Sequence, residues 1–166
     1  TLSPAMDIQL PSNFERLLFE ACGRDGAAVA SAYAQLANSG EAPLPKSAVT
    51  KLGTMGLSAE RVSDYETIDE MKRTHAETGW IVCPHTAIGI AARSKVLDGL
   101  TGGPVVHLAT AHLAKFPDTV ERAIGVRPPL PAKCADLFHR TEKFDSLPAD
   151  AEAVKHYIRE RSRAWQ

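Results

Sequence analysis

The most informative hydrophobic pattern of the chain lies in residues 103–118, which read GPVVHLATAHLAKFPD. Pro104 suits the first residue of a strand, because proline cannot donate a strand hydrogen bond. The apolar run at residues 105–108 contains β-branched side chains and predicts a strand buried on both faces. A short stretch of small and polar residues separates it from a helical pattern at residues 117–124, which Gly125 closes. The pattern is half of a βαβ unit.

The turn after this predicted strand is the first candidate site. Ligands of open α/β sheets bind at the carboxyl ends of the strands. Thr110 lies at that end, so we predict that its hydroxyl faces a ligand. A glycine-rich loop at residues 99–103 is predicted to lead into the strand.

Helical spacing of apolar residues dominates the first half of the chain. Helices are predicted to begin at Ser12 and Thr67, each of which precedes a glutamate by three positions, as in a capping box. Asp25 is predicted to cap another helix, and residues 47–52 form a short, weak one. We therefore expect residues 1–79 to be mainly helical.

The second half, residues 80–166, is predicted to be a mixed α/β part. The apolar run at residues 80–83 indicates a brief strand or extended piece. A helix of small residues follows and begins at His85 or Thr86. Its slim face is expected to pack close to a neighbouring element.

The end of the chain predicts one strand and one helix. Residues 144–147 are predicted to form the strand, and Asp150 to cap the helix. The side chains expected on the buried face of this helix are Val154, Tyr157, Ile158 and Trp165.

Composition and charge narrow the class of protein. A chain of 166 residues with 44% hydrophobic and 23% charged residues can bury one core. A formal net charge of −1 gives no electrostatic reason to expect nucleic acid or an anionic membrane as partner. No apolar run approaches the roughly 20 residues of a membrane span, and the first residues do not have the basic and apolar pattern of a signal peptide. The odd number of cysteines, 3, favours reduced thiols in a cytoplasmic protein.

Residue types alone leave the chemistry open. His85, His107 and His112 suggest a metal, but no carboxylate or thiol ligands accompany them at a recognisable spacing, so core or loop histidines are favoured. Cys83 and His85 suggest a thiol nucleophile, although two positions along an extended segment do not bring the side chains into contact. No phosphate-loop, dinucleotide-binding or nucleophile-elbow motif is present. The residues by themselves predict an α/β segment with a ligand edge near Thr110.

Three longer stretches resemble one family. Residues 3–20, SPAMDIQLPSNFERLLFE, resemble a signature of the bacterial and fungal threonine synthases. Residues 84–89, PHTAIG, resemble the PHTAVG segment of that family, and residues 109–117, ATAHLAKFP, resemble its ATAHPAKFP segment. The order and separations also agree, and the likeness covers nearly the whole chain. Three long motifs in sequence are far more specific than any short pattern.

The resemblance implies both a fold and a reaction. It implies the α/β fold class of the pyridoxal 5'-phosphate (PLP) enzymes of fold type II, which is the fold of tryptophan synthase β. The chain would be a carboxy-terminal portion of such an enzyme, rich in helices and with few short strands. It also implies conversion of O-phospho-L-homoserine and water to L-threonine and phosphate. In the family, the Schiff-base lysine and the phosphate loop precede the segment matched by residues 3–20. We therefore expect residues 1–166 to be inactive and not to retain PLP without the amino-terminal part.

The resemblance also implies roles for individual residues. Thr110 matches the hydroxyl that hydrogen-bonds the pyridine nitrogen of PLP; unlike a carboxylate, a neutral hydroxyl does not hold a proton on that nitrogen. Asn13 and Arg16 either line the substrate side or belong only to their helix, and His85 and Thr86 either approach the cofactor or simply begin a helix. Cys83 stands where the family has an acidic residue, which removes a hydrogen-bond acceptor from that position.

Two alternatives to a threonine synthase remain at this point: a related PLP-dependent lyase of fold type II, and a non-catalytic scaffold or binding segment.

Without a partner portion, an apolar surface is expected around Phe14, Leu17 and the helix after Pro84. We therefore predict that the amino-terminal part of the enzyme, a neighbouring chain or self-association covers that surface.

Overall fold

The computed structural model describes residues 1–96 and 103–165, and its regular structure there is entirely helical. Residues Thr1–Pro129 form one compact unit and the chain from Leu130 onward forms another. The α-helices are α1 (Ser12–Ala21), α2 (Gly26–Ser39), α3 (Lys46–Thr54), α4 (Asp64–Thr78), α5 (Pro84–Val96), α6 (Pro117–Ile124) and α7 (Ala151–Arg161). Short 3₁₀ turns occur at Pro4–Met6, Leu113–Lys115, Ala132–Cys134, Leu137–His139 and Arg163–Trp165. None of the helices in the described ranges has the length and hydropathy that crossing a membrane requires.

One hydrophobic core lies between α4, α5 and α6. Its buried members are Ile68, Met71, Ala87, Val120 and Ala123. The contribution of α5 is an alanine, and a side chain this small allows the neighbouring helices to approach closely. Burial of each large apolar side chain here contributes about 1.5–3 kcal/mol relative to an exposed one.

A second core lies between α1, α2 and α3. Leu18, Ala21, Val29 and Ala48 are its buried members. The hydroxyl of Tyr33 on α2 donates a hydrogen bond to the carbonyl of Pro11, at 2.8 Å. This bond ties α2 to the residue that precedes α1.

Several helix ends follow the local sequence signals. Asp25 accepts hydrogen bonds from the N–H groups of Ala27 and Ala28, and Asp150 accepts one from Ala153, so both predicted caps are observed. Gly125 adopts a left-handed conformation with φ of 73° and closes α6, because glycine reaches this region without a Cβ penalty.

α1 begins at Ser12 as predicted, but the capping box expected there is wrong: Pro11 precedes the helix, and the side chain of Ser12 makes no capping bond. The predicted helix start at Thr67 is also wrong. α4 begins one turn before Thr67, at Asp64, and its capping box consists of Ser63 and Glu66. The pattern of a hydroxyl residue followed by glutamate occurs twice in this region, and the earlier copy caps the helix.

The predicted short strands are absent from the described residues, whereas the helix-rich character expected of this portion is confirmed. Residues 80–83 and 144–147 have no regular structure, and residues 105–108 run without a paired neighbour. Val106 and Leu108 are each 81% exposed instead of buried. A strand forms only when its backbone groups pair with another strand, and none is available within the described ranges. The loop expected at residues 99–103 lies outside those ranges apart from Gly103.

The residues that were expected to form an exposed apolar surface are partly or fully buried. Phe14 and Leu17 are half-buried, and the first turn of α5 is buried.

The buried face predicted for the last helix is wrong. α7 has no buried side chain, and Val154 and Ile158 are exposed. The side chain of Trp165 lies outside the described part of the chain.

Candidate functional site

The start of α5 and the segment before α6 bring a polar cluster together. Pro84 occupies the first position of α5, where a missing N–H costs nothing. Cys83 directly precedes it, and the Cys83 carbonyl accepts a hydrogen bond from Ala87 N–H at 3.0 Å. The extended segment after Gly103 places Thr110 against this helix start. Residues far apart in sequence thus meet at one place.

The cluster is a triangle of one thiol and two hydroxyls. Cys83 Sγ lies 3.2 Å from Thr86 Oγ1 and 3.7 Å from Thr110 Oγ1. The two hydroxyl oxygens lie 3.4 Å apart. Cys83 is 2% exposed and Thr86 is 7% exposed, whereas Thr110 is an exposed residue. Thr110 is therefore the one exposed residue of the three.

Backbone amides complete the cluster. Thr86 N–H donates to Cys83 Sγ at 3.5 Å, and Thr110 N–H donates to Thr86 Oγ1 at 3.2 Å. These bonds attach the extended segment to the start of α5, so side chains fix the position of the segment in the absence of a sheet.

The surroundings of the thiol change its acidity. Burial raises the pKa of Cys83, but hydrogen bonds from the side chain and backbone of Thr86, from Ala111 N–H and from Thr110 outweigh this effect. The pKa of Cys83 therefore lies below its ordinary value. The start of α5 acts in the same direction, because a helix amino terminus favours the thiolate.

His85 turns away from this cluster. Its Nε2 accepts a hydrogen bond from Ala5 N–H at 3.3 Å, and its ring centroid lies 4.7 Å from that of Phe116. Burial lowers the pKa of His85, which favours the neutral ring. Because Nε2 accepts, the hydrogen belongs on Nδ1, which is buried without a partner among the described residues. His85 and Cys83 therefore have different partners and do not form a thiol–imidazole pair.

The other two histidines considered as metal ligands are His107 and His112. His112 Nδ1 accepts a hydrogen bond from Ala114 N–H at 3.1 Å and caps the turn at Leu113–Lys115. His107 is half-buried. Within the described ranges, no three residues among histidine, cysteine, aspartate and glutamate come together as metal ligands would.

Asn13 and Arg16 lie on α1 and are exposed. Asn13 Oδ1 accepts a hydrogen bond from Phe14 N–H at 2.9 Å. No hydrogen bond or ion pair of the described chain links either side chain to Thr110. A substrate-binding role for these two residues therefore stays a prediction.

Cys83 and Thr86 are the site residues that sequence reasoning underestimated. The loss of an acidic residue at position 83 was expected to remove an acceptor, yet the sulfur accepts the backbone N–H of Thr86 there. The signal in the sequence is the position of Cys83 directly before a helix-starting proline, with a hydroxyl residue three positions on. Across this spacing the Thr86 N–H donates to the sulfur, as an N–H of a first helical turn does to a capping side chain.

Comparison with known proteins gives a consistent result. A family model described as threonine synthase, C-terminal, matches residues 86–158. The threonine synthase of Pseudomonas aeruginosa is 40% identical over 159 residues, which are 95% of this chain and 34% of that protein. The threonine synthase of Saccharomyces cerevisiae is 33% identical over 183 aligned residues, covering 96% of this chain and 35% of its own length.

The fold agrees with the sequence. A crystal structure of PLP-bound threonine synthase from Brucella melitensis matches with a TM-score of 0.76 and 42% identity, over 98% of this chain and 34% of that one. The chain thus spans about a third of the length of the relatives it matches. Since the matching family model describes a carboxy-terminal region, this chain matches the carboxy-terminal part of the threonine synthases.

Proposed function

We propose that this chain supplies the carboxy-terminal portion of a PLP-dependent threonine synthase, which converts O-phospho-L-homoserine and water to L-threonine and phosphate. The observation that carries the proposal is the hydroxyl of Thr110, which belongs to an exposed residue and contacts the buried side chains of Cys83 and Thr86. It lies in the segment that resembles the cofactor-facing motif of the family. The likeness to a PLP-bound relative over 98% of the chain supports the same conclusion.

The donor set of the site fits a pyridine nitrogen. A ring nitrogen lies in the plane of the cofactor and needs one directed hydrogen-bond donor. Thr110 offers one neutral hydroxyl on an exposed residue, and its backbone is fixed by Thr86. The cluster contains no carboxylate that would hold a proton on the nitrogen.

The residues of this chain then have distinct tasks. When bound, PLP supplies the electron-withdrawing ring on which the reaction depends. Thr110 donates a hydrogen bond to the ring nitrogen and so orients the ring, and Thr86 holds Thr110 in place. Such a bond contributes on the order of 1 kcal/mol, which is enough to align a cofactor but not to retain it. The lysine and the phosphate loop belong to the amino-terminal portion in this proposal.

The partner of the chain is therefore that amino-terminal portion. Residues 105–108 have the sequence of a buried strand, yet Val106 and Leu108 are each 81% exposed. Large exposed apolar side chains in a row indicate a surface that another polypeptide covers. The chain spans 34% of the length of the Pseudomonas aeruginosa relative, which supports a much larger partner portion. Alone, the chain is expected to self-associate through the same surface.

The proposal is tested by supplying the missing portion. The amino-terminal portion of the Brucella melitensis relative is co-expressed with this chain, and each portion is expressed alone as a control. We expect the absorbance of bound PLP, and phosphate release from O-phospho-L-homoserine, only when both portions are present. A well-folded pair that binds no PLP would instead support a scaffold. Bound PLP with deamination of L-threonine but no phosphate release would support the related lyase.

A further inference from the structure

The buried ring of His85 is the part of the first turn of α5 to which the proposed function gives no task. His85 is 5% exposed and directly precedes Thr86, whose hydroxyl oxygen accepts the N–H of Thr110. Its Nε2 accepts the N–H of Ala5 at 3.3 Å, and 80 positions separate these two residues in the chain. Because a backbone N–H can only donate, the direction of this bond is fixed and Nε2 carries no hydrogen.

The His85 ring also contacts the residues that follow Thr110. Its centroid lies 4.7 Å from that of Phe116, at an interplanar angle of 49°. The N–H of Phe116 donates to the carbonyl of Leu113 and closes the short turn after Thr110. Aromatic pairs at this separation contribute to stability beyond the area that they bury. His85 thus joins the turn at Pro4–Met6 to the turn that precedes α6.

Two adjacent residues of α5 therefore hold the two ends of the loop at residues 110–116. Thr86 binds the backbone of Thr110 at one end, and His85 packs against Phe116 at the other. The Ala5 bond is the polar anchor of the ring, because His85 Nδ1 has no partner among the described residues. Without that bond, packing alone would hold the ring and the far end of the loop.

We infer that His85 is a positioning residue for the cofactor: its neutral ring, bonded to Ala5, holds the loop at residues 110–116 so that Thr110 stays in place. The inference rests on the proposed function, which gives Thr110 the contact with PLP. His85 in this arrangement neither contacts the cofactor nor merely begins a helix.

The same bond predicts a response to acid. Burial lowers the pKa of His85 from its ordinary value of 6.5. No charged group contributes to this shift, although ionisable residues lie beside the segments that pack against the ring: Asp7, Cys83, Lys115 and Asp118. A second ring hydrogen would sit on Nε2 and face the Ala5 N–H, so the bond exists only in the neutral form. Its stabilisation is therefore present above pH 6.5 and is lost as the pH falls below that value.

The experiment uses the assembled protein, this chain with its amino-terminal portion, and measures PLP affinity by titration of the visible cofactor absorbance. His85→Gln retains an acceptor near the position of Nε2, whereas His85→Phe retains a flat ring without an acceptor. We expect His85→Gln to bind PLP within about twofold of the unchanged protein and His85→Phe to bind about three- to tenfold more weakly. Ile68→Val, in the core between α4, α5 and α6, is the control for a general loss of stability and should leave the affinity unchanged.

A pH profile separates positioning from packing. Below pH 6.5 the affinity of the unchanged protein is expected to fall relative to that of His85→Gln, which has no ionisable group at this position. Parallel pH profiles of these two proteins, or equal affinities of His85→Phe and the unchanged protein, would overturn the inference. If His85→Phe does not assemble, His85→Asn decides, because its shorter amide does not reach Ala5 and the same loss is expected.

The outcome for the unchanged assembly tests the proposed function separately. PLP bound by that assembly would support the proposed function even where the His85 variants overturn the positioning role. Failure of the unchanged assembly to bind PLP would overturn the proposed function and this inference with it.

Discussion

The side-chain oxygens of Thr86 and Thr110 lie 3.4 Å apart although 24 positions separate the residues in the chain. The same Thr86 oxygen accepts the N–H of Thr110 at 3.2 Å. One buried side chain therefore fixes both the backbone and the hydroxyl of an exposed residue. The first turn of α5 therefore fixes the position of the Thr110 hydroxyl. The predictions about the site follow from this contact between Thr86 and Thr110.

Thr110→Val replaces the hydroxyl by a methyl group with little change in shape. In the assembled protein we expect PLP affinity to fall roughly five- to tenfold, because a net hydrogen bond contributes about 1 kcal/mol. Titration of visible cofactor absorbance measures the change. Thr110→Ser retains the hydroxyl and serves as control. An unchanged affinity in Thr110→Val would show that the hydroxyl does not contact the cofactor.

Thr86→Val is expected to destabilise the chain itself. The change leaves the Thr110 N–H and the buried sulfur without their hydroxyl partner, and a buried polar group without a partner costs about 1–3 kcal/mol. Urea unfolding followed by circular dichroism measures the loss. Thr86→Ser preserves the hydroxyl and should recover most of the stability. Equal stability of Thr86→Val and the unchanged chain would contradict the structural role of this oxygen.

Ser63→Ala and Ser12→Ala form a matched pair at two helix starts. Ser63 accepts the N–H of Glu66 and caps α4, so its loss should cost about 1 kcal/mol. Ser12 makes no capping bond at α1, so its replacement should change the free energy of unfolding little. Thermal unfolding compares the two variants. A larger loss in Ser12→Ala would reverse the assignment of the capping residues.

The ion pair between α4 and α5 predicts a pH dependence. Lys95 Nζ lies 2.7 Å from Glu66 Oε1, and this bond, followed by those from Ser63, lowers the pKa of Glu66 from 4.5 to about 2. Folding therefore favours the ionised form, and the stabilisation is complete above pH 4.5 and lost as the pH falls toward 2. Because Glu66 is exposed, the contribution is modest.

Glu66→Gln tests this dependence. We expect the variant to have a lower melting temperature than the unchanged chain at neutral pH, and the difference to shrink across the acidic window. Thermal unfolding by circular dichroism at a series of pH values measures it. Glu142→Gln, at an exposed carboxylate without an ionic partner in the described chain, is the control. A difference that stays constant with pH would contradict the assignment.

The exposed apolar segment predicts where the partner portion docks. Val106→Lys with Leu108→Lys should leave the stability of the chain within about 0.5 kcal/mol, because exposed positions contribute little. The same change should prevent assembly with the amino-terminal portion and reduce self-association of the chain alone. Co-purification and light scattering measure both effects. Ile158→Lys, at an exposed apolar residue of α7, is the control. Normal assembly of the doubly changed chain would place the interface elsewhere.

Local signals in the sequence predicted the helical part well. Asp25 and Asp150 cap their helices because a carboxylate accepts neighbouring N–H groups without help from distant residues. Thr67 failed as a helix start because Ser63 and Glu66 carry the same spacing, and the alternative glutamate, Glu70, pairs with Arg73 within the helix. Where two equivalent capping patterns follow one another, the sequence alone does not show which of them begins the helix.

Interactions between distant residues were not predictable in the same way. The apolar pattern at residues 105–108 describes a buried strand, but nothing in the described chain buries Val106 or Leu108. The pattern is consistent with a neighbour outside this chain. Thr110 was found from its place after that pattern, whereas its contacts with Cys83 and Thr86 depend on how the helices pack.

The division of the helices between two cores has a consequence for motion. α1 to α3 pack around Leu18 and Val29, whereas α4 to α6 pack around Met71 and Val120. The amide hydrogens of the first group can exchange with solvent through an opening that leaves the second group closed. Hydrogen exchange should be faster in α2, which buries Val29 alone, than in α4, which buries Ile68 and Met71 among others. The early helices can then open and reclose while the cysteine and both threonines keep their geometry.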